Sequence, residues 1–213
     1  EEALRQSEER LRTLSDNLPS GAIYQVLHLP DDTHRFSYIS AGIEQLLGVT
    51  PQEVLRDPST LYGLILDDDL PGMLASETES LKNLTPYDYE FRMRTRSGSV
   101  RWVNTRSAPR RLPGGEVAWE GVLLDVSARK EAEAIIRERD AQFELLADSI
   151  PQLAWMARPD GYIFWYNKRW YDYTGTTLDD MEGWGWRKGH PPEHIDRVVA
   201  RIQRSWQTGE PWE

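Results

Sequence analysis

The spacing of hydrophobic positions changes several times along the chain, and each change predicts a different element. Residues 1–18 are rich in charge, and their leucines recur at spacings of three, four and seven, which predicts an amphipathic helix. Residues 127–150 repeat this pattern. A stripe this narrow favours a two-stranded coiled coil, although an amphipathic helix lying on its own domain stays open as an alternative. The seam positions are Leu11, Leu14, Phe143 and Leu146.

Each of these two helices is followed by a similar run of residues. Leu18 and Pro19 end the first helix and recur as Ile150 and Pro151 at the end of the second. The two copies lie about 130 residues apart, which is too far for a solenoid repeat. Each copy should therefore be a domain with its own core, and the chain is expected to be a tandem array.

Between the two helices, the pattern predicts a sheet interrupted by helices. A longer helix is predicted over residues 67–83, with three aspartates in its first turn. From Tyr87 onward, apolar and charged residues alternate, which is typical of a strand with one buried face. The strands are predicted over residues 22–29, 35–40, 87–94, 100–108 and 117–126. This order predicts an α+β fold in which a five-stranded antiparallel sheet carries helices on one face.

Composition narrows the possible partners. The chain has 213 residues, 35 acidic against 25 basic, and a formal net charge of -10, so neither nucleic acid nor an anionic membrane is expected to bind it. It has no run of 18 apolar residues and no cysteine, which favours a cytoplasmic location. Because the chain does not begin with Met, we expect a piece of a longer protein, whose membrane anchor or output domain could lie outside it.

Several strings carry a family resemblance. In the first copy they are FSYISAGIEQLLGVTPQEV at 36–54, the alternating segment at 87–110 and GVLLDVSARKEAE at 121–133. In the second copy they are residues 160–186 and the HPPEH segment at 190–194. This order of motifs resembles the PAS domain and its closing PAC strands, in the fold-3-like subgroup common ahead of bacterial sensor histidine kinases and diguanylate cyclases. The resemblance covers nearly the whole chain and implies two PAS folds in tandem.

The second copy departs from the family pattern. It has no counterpart of residues 89–125 of the first copy, so we expect the second domain to lack its last three strands. The expected organisation is an N-terminal signalling helix at 1–18, a first PAS/PAC domain at 19–126, a linker helix at 127–150 and a second PAS domain at 151–213.

Two groups of residues are candidates for function. Tyr24, Ile39, Phe91 and Met93 are the inward-facing candidates on the first domain's strands, and their character predicts a small, mostly apolar ligand without metal. If no ligand binds, the same side chains simply fill the core.

The end of the first domain is the predicted point of signal coupling. Asp125 ends the last strand, and Ser127 is a good N-cap for the helix that follows, so strain in the sheet would pass to the coiled coil there. A plain strand-to-helix cap is the alternative interpretation.

No catalytic site, metal or cofactor is expected. His190 and His194 are four residues apart, but Pro191 and Pro192 interrupt regular helix between them, which favours polar helix-start residues. A haem alternative rests on His194. Flavin photochemistry in the light-sensing relatives requires a cysteine, and the chain has none. Nine tryptophans beside many carboxylates could also indicate a sugar-processing enzyme, which is disfavoured because the tryptophans fall at recurrent PAS positions.

The leading hypothesis is a cytosolic sensory and dimerisation module. It would relay a ligand or partner signal through its linker helices to a C-terminal output domain, that of a two-component sensor histidine kinase, and it would form a homodimer through helices 1–18 and 127–150. One alternative is the input region of a diguanylate cyclase. Another is a PAS scaffold for protein-protein interaction whose pockets are filled by their own aromatic side chains.

Overall fold

The computed structural model describes residues 2–31, 33–189 and 191–211. The described residues divide into two compact units at the step from Glu133 to Ala134, which lies inside one long helix. No helix in the described ranges is both long and apolar enough to cross a membrane.

The first unit contains the elements expected of a complete domain. Its helices are α1 (Glu2–Asp16), α2 (Gly42–Leu47), α3 (Pro51–Arg56), α4 (Ser59–Tyr62), α5 (Leu70–Asn83) and the start of α6 (Ser127–Ser149). Its strands are β1 (Gly21–His28), β2 (His34–Ile39), β3 (Tyr87–Arg94), β4 (Val100–Arg111) and β5 (Val117–Asp125).

The five strands form one antiparallel sheet in the order β2-β1-β5-β4-β3. The last strand in the chain therefore lies beside the first, and Tyr24 of β1 pairs with both Ile39 of β2 and Gly121 of β5. Helices α2, α3 and α5 contact the sheet, and one apolar core fills the space between them. The predicted α+β architecture, a five-stranded antiparallel sheet with packed helices, is confirmed for this unit.

Helix α5 begins later than the sequence pattern predicts. The three aspartates at 67–69 precede its first residue, Leu70, and so they do not form its first turn. Asp69 has another role, because its carboxylate accepts the Arg92 backbone N–H at 2.7 Å and the Arg92 guanidinium at 2.7 and 2.9 Å. This contact fixes the start of α5 against β3.

The second unit is smaller in the described residues. Two antiparallel strands, β6 (Trp155–Ala157) and β7 (Ile163–Tyr166), are followed by α7 (Lys168–Thr174), α8 (Leu178–Met181), a 3₁₀ turn (Gly185–Gly189) and α9 (Pro192–Thr208). A small buried cluster joins these elements. Its members are Ile163, Tyr166, Met181 and Trp186.

The internal repeat is visible in local geometry. Gly48 closes α2 with φ of 80°, and Gly175 closes α7 with φ of 68°, a left-handed conformation that suits glycine. Shortly afterwards, α3 and α8 both begin with a capping box, formed by Thr50 with Glu53 and by Thr177 with Asp180. The same local signals therefore build the same turn-to-helix step in both units.

Candidate functional site

A cavity of about 60 Å³ lies within the first unit, between the sheet and helices α4 and α5. A single water molecule needs at least about 10–15 Å³ of such space, so this cavity can hold several waters or one small molecule. Much of its wall is apolar. The aliphatic, thioether and phenyl side chains on it include Val26, Phe36, Leu61, Ile65, Met73 and Leu123.

The structure separates the four predicted pocket residues. Tyr24, Phe91 and Met93 line the cavity and are each no more than 6% exposed. Ile39 is equally buried, at 4% exposure, but it lies in the core away from the cavity wall. The sequence pattern identifies which strand face is inward, whereas the position of the void along that face depends on tertiary packing.

A carboxyl group enters this apolar wall from α5. Glu77 lines the cavity, and its Oε1 accepts a hydrogen bond from the Tyr62 hydroxyl at 3.1 Å. Burial raises the pKa of Glu77, while the Tyr62 hydrogen bond and the nearby imidazoles of His34 and His28 act in the opposite direction. A polar contact at this depth must be satisfied, because an isolated buried charge is strongly unfavourable.

Three tyrosines surround this carboxyl group. Burial is the main cause of the raised pKa of Tyr24, Tyr62 and Tyr87, and the charge of Glu77 adds to it in each case. Tyr62 donates to Glu77, and Tyr24 is hydrogen-bonded to Ser107.

Two buried hydroxyls on the cavity wall lack a partner. Tyr87 Oη and Thr105 Oγ1 make no hydrogen bond to any described residue, although both side chains belong to residues only 7% exposed. Native proteins leave few such groups unsatisfied, and each one calls for an explanation, such as a bound ligand or water. By contrast, Trp119 on the same wall donates its Nε1 hydrogen to Ser80 at 3.3 Å.

Glu77 is not among the residues predicted to line the pocket, although its spacing along α5 carries a signal. Met73, Glu77 and Ser80 are spaced by four and three residues, which places them on one face of α5. Met73 and Ser80 are buried, so Glu77 between them faces inward as well. In a chain with many exposed acidic residues, composition alone did not distinguish this glutamate from its solvent-facing neighbours.

The predicted coupling residues meet at the end of β5. The Asp125 carboxylate accepts the Ser127 backbone N–H at 2.9 Å and pairs with Arg101 at 2.8 Å. Ser127 is the first residue of α6, and its hydroxyl accepts the Trp102 backbone N–H at 2.9 Å. The cap predicted for Ser127 is therefore provided by Asp125, while Ser127 ties the helix start to β4.

A second contact joins β3 and β4 to the start of α6. The ammonium of Lys130 lies 4.9 Å from the centre of the Trp102 ring and 2.6 Å from a carboxylate oxygen of Glu90. Glu90 also pairs with Arg129. Sheet and helix are thus connected by charge and aromatic contacts as well as by the chain itself.

The second unit has a different candidate site. A cleft of about 290 Å³ is bounded by Trp155, Trp184, Trp186 and Trp206, with Asp160 on its edge. His194 is exposed in the first turn of α9, and His190 lies outside the described residues. Within the described ranges, no group of three His, Cys, Asp or Glu residues is placed to hold a metal ion.

Comparison with known proteins gives the family. A family model described as "PAS fold" matches residues 36–123, and one described as "PAS domain" matches residues 141–205. The solved structure of an RNA-binding light-oxygen-voltage receptor is similar in fold, with a TM-score of 0.52 and 23% identity, covering 69% of this chain and 40% of that chain.

Two curated sensors share part of the sequence. A methyl sulfide methyltransferase-associated sensor of Methanosarcina acetivorans is 32% identical over 112 residues, which are 52% of this chain and 11% of that protein. A blue-light-activated histidine kinase of Brucella anthropi is 33% identical over 95 residues, which are 45% of this chain and 19% of that protein. The matched segment is therefore a small part of each sensor. This chain belongs to the PAS family and carries two of its sensory domains in tandem.

Proposed function

We propose that this chain is the ligand-sensing and dimerisation region of a cytoplasmic sensor histidine kinase, with its signal entering through the cavity of the first PAS domain. The observation that carries the proposal is the combination of an apolar void with the two unsatisfied buried hydroxyls, Tyr87 Oη and Thr105 Oγ1. Native cores contain few voids and few unsatisfied buried groups, so the two together at one place favour a ligand site.

The kinase part of the proposal is supported by similarity. The Brucella anthropi relative is a histidine kinase, and the region shared with this chain is 19% of its length. An output domain C-terminal to the PAS pair would fit this arrangement. For the domain organisation, we propose a signalling helix at 1–18, a first PAS/PAC domain at 19–126, a linker helix at 127–150 and a second PAS domain at 151–213.

Strand β5 provides a structural route by which a change in the cavity could reach helix α6. Trp119 and Leu123 of β5 line the cavity, and the same strand ends at Asp125. A ligand that shifts β5 would move the Asp125 carboxylate, which holds the Ser127 N–H and Arg101. The shift would pass into α6 only if the ligand binds the two helix arrangements with different affinity.

Dimerisation is proposed through α1 and α6. Leu14 is 63% exposed, and on α6 Ile135, Ile136, Leu145 and Leu146 are between 51 and 74% exposed. Large apolar side chains at this density on a charged helix favour a helix partner. Within the second unit, Phe143 also packs on Trp165, with ring centres 5.2 Å apart. The side chain of Leu11 lies outside the described residues.

The ligand-sensing proposal is tested by a binding screen on the 213-residue chain. Small molecules are screened by ligand-observed NMR against wild type, Thr105→Leu and Thr78→Leu. Thr105→Leu removes an unsatisfied hydroxyl and adds bulk to the cavity wall, whereas Thr78 is exposed on α5 and serves as the control. We expect binders whose signal persists in Thr78→Leu and disappears in Thr105→Leu, with both variants folded by circular dichroism.

The coupling step has its own measurement. Because the chain has no cysteine, Glu138→Cys on α6 gives a unique site for a nitroxide label. We expect the label-to-label distance in the dimer to change when a cavity ligand is added. A ligand that binds the cavity and leaves this distance unchanged would support the scaffold function instead.

A further inference from the structure

The polar groups of the cavity are unevenly satisfied. Tyr62 and Tyr24 have partners in Glu77 and Ser107, while Tyr87 Oη and Thr105 Oγ1 have none among the described residues. Each hydroxyl oxygen can accept a hydrogen bond, and the Glu77 carboxylate has further capacity to accept. The wall therefore offers acceptors at several places within a void that is otherwise apolar.

The charge of the wall is of one sign. Glu77 is the one formally charged side chain among the described residues that line the cavity, since neither lysine nor arginine is among them. An anionic ligand would bring a second negative charge without a cation to pair with it, which is costly at this depth. A cationic ligand would supply the missing counter-charge.

We propose that the cavity binds a small primary amine in its protonated form, with an apolar body of about four carbons matched to the size of the void. The ammonium group lies against Glu77, and the hydrocarbon part packs among Phe36, Phe91 and Met93. This inference rests on the proposed sensory function and specifies its ligand class. It specifies the small, mostly apolar ligand expected from the strand pattern by adding a charged amine head group.

The chemistry of an ammonium fits the unsatisfied groups. It has three N–H donors and no acceptor, and the wall offers Glu77, Tyr87 Oη and Thr105 Oγ1 as acceptors. Aromatic rings from Tyr24, Phe36 and Trp119 also border the cavity, and ring faces attract cations, most strongly where water is excluded. A neutral alcohol of the same size could also form hydrogen bonds with the wall but would supply no counter-charge to Glu77.

Amine binding should be linked to protons. Burial raises the pKa of Glu77, and an ammonium ligand selects the carboxylate form of this group. Binding should then release protons and weaken as the pH is lowered. The titratable groups that face Glu77 are Tyr62 on α4, Tyr24 and His28 on β1, His34 on β2 and Tyr87 on β3. The Glu77→Gln variant below distinguishes the contribution of Glu77 from that of these neighbours.

The test compares three probes of nearly equal size: n-butylamine, 1-butanol and butyrate. Isothermal titration of the 213-residue chain at neutral pH should give an affinity for n-butylamine at least about tenfold higher than for 1-butanol, and no measurable binding of butyrate. Repeating the amine titration in buffers of different ionisation enthalpy counts the protons released, and this number should rise at lower pH.

Two variants and a matched control test which side chains bind the ammonium group. Glu77→Gln should weaken n-butylamine binding about tenfold or more and leave 1-butanol binding unchanged, while Tyr87→Phe should weaken the amine about 3- to 10-fold. Glu79→Gln removes the same charge from an exposed position of the same helix and should change neither affinity. Unchanged 1-butanol binding also shows that Glu77→Gln is folded.

Several results would overturn the amine assignment. These are amine binding no tighter than alcohol binding, amine binding that survives Glu77→Gln, or a preference for butyrate. Each of them leaves the cavity a ligand site and so leaves the proposed function standing. Failure of the proposed function looks different, because then no small molecule of any charge would bind in a manner sensitive to Thr105→Leu.

Discussion

The two PAS domains of this chain share their local structure and differ in their interiors. Both have a left-handed glycine followed by a threonine capping box, so the short helices arise from nearby residues in each case. The first domain adds β3, β4 and β5, and these strands provide much of the cavity wall, including both unsatisfied hydroxyls. The described part of the second domain has two strands and a tryptophan-lined cleft. Local signals thus specify the short helices, whereas the site forms where the complete sheet packs against α4 and α5.

The largest effect should come from disrupting the proposed dimer contacts on α1 and α6, the helices that precede the two domains. Changing Leu14→Glu and Leu146→Glu together places charges on exposed apolar positions of α1 and α6. If these positions are intermolecular contacts, dimer affinity should fall about 100-fold or more, because burial of each leucine contributes about 1.5–3 kcal/mol. Light scattering over a concentration series measures the mass. Gln142→Glu, on α6, is the charge control, and an undiminished dimer in the double variant would place the contact elsewhere.

The next prediction contrasts the two interiors with the same substitution. Phe91 is 4% exposed in the first domain, whereas Phe164 is 38% exposed on β7 of the second. Phe91→Ala should lower the free energy of unfolding by about 3–5 kcal/mol because it enlarges a buried void. Phe164→Ala should cost much less, since substitutions of exposed residues usually change stability by less than about 0.5 kcal/mol. Urea denaturation measures both, and equal losses would mean that Phe164 is covered in solution.

The junction at the end of the first domain should have a moderate effect. Although burial opposes ionisation, the hydrogen bonds from Ser127 and the pairing with Arg101 lower the pKa of Asp125. Asp125→Ala should cost about 0.5–2 kcal/mol at neutral pH. Because the pKa of Asp125 is lower in the folded state, its carboxylate stabilises the fold at pH values above its pKa in the unfolded chain, about 3.9. This stabilisation is lost as the pH falls through the folded-state pKa. The stability difference between wild type and variant should therefore shrink in acid, and signalling of the parent protein should change while the first domain stays folded.

Much of the fold could be predicted from the sequence, because alternation and glycine positions act locally. The strand pattern identified Tyr24, Phe91 and Met93 as inward-facing, and all three line the cavity. It could not place Ile39 off the wall, since strand alternation gives the face of a residue but not the site of a void. Glu77 was overlooked because its inward position depends on how α5 packs. Ser127 was predicted to cap α6, but its hydroxyl accepts the Trp102 N–H and Asp125 accepts the helix N–H instead. Trp102 lies far from Ser127 in the sequence, so this arrangement could not be predicted from the local pattern.

The smallest effect should come from the capping boxes that the two domains share. Thr50→Ala and Thr177→Ala should each lower the free energy of unfolding by about 0.5–1 kcal/mol, the lower part of the range for a lost cap. The unfolding of each unit is measured with its own spectroscopic probe. The two boxes should differ in pH dependence. Hydrogen bonds from Arg96, and secondarily from Thr50, lower the pKa of Glu53 to about 2. The pKa of Asp180 is lowered by hydrogen bonds from Thr177. Both groups stabilise the fold above their unfolded pKa and lose that effect as pH falls, and for Glu53 the loss should extend down to about pH 2. Arg96→Gln tests this directly: it should narrow the acid range over which Glu53 contributes and leave the Thr177 box unchanged, as measured by acid titration of stability. A similar acid profile for both boxes before and after this substitution would show that Arg96 does not set the difference between them.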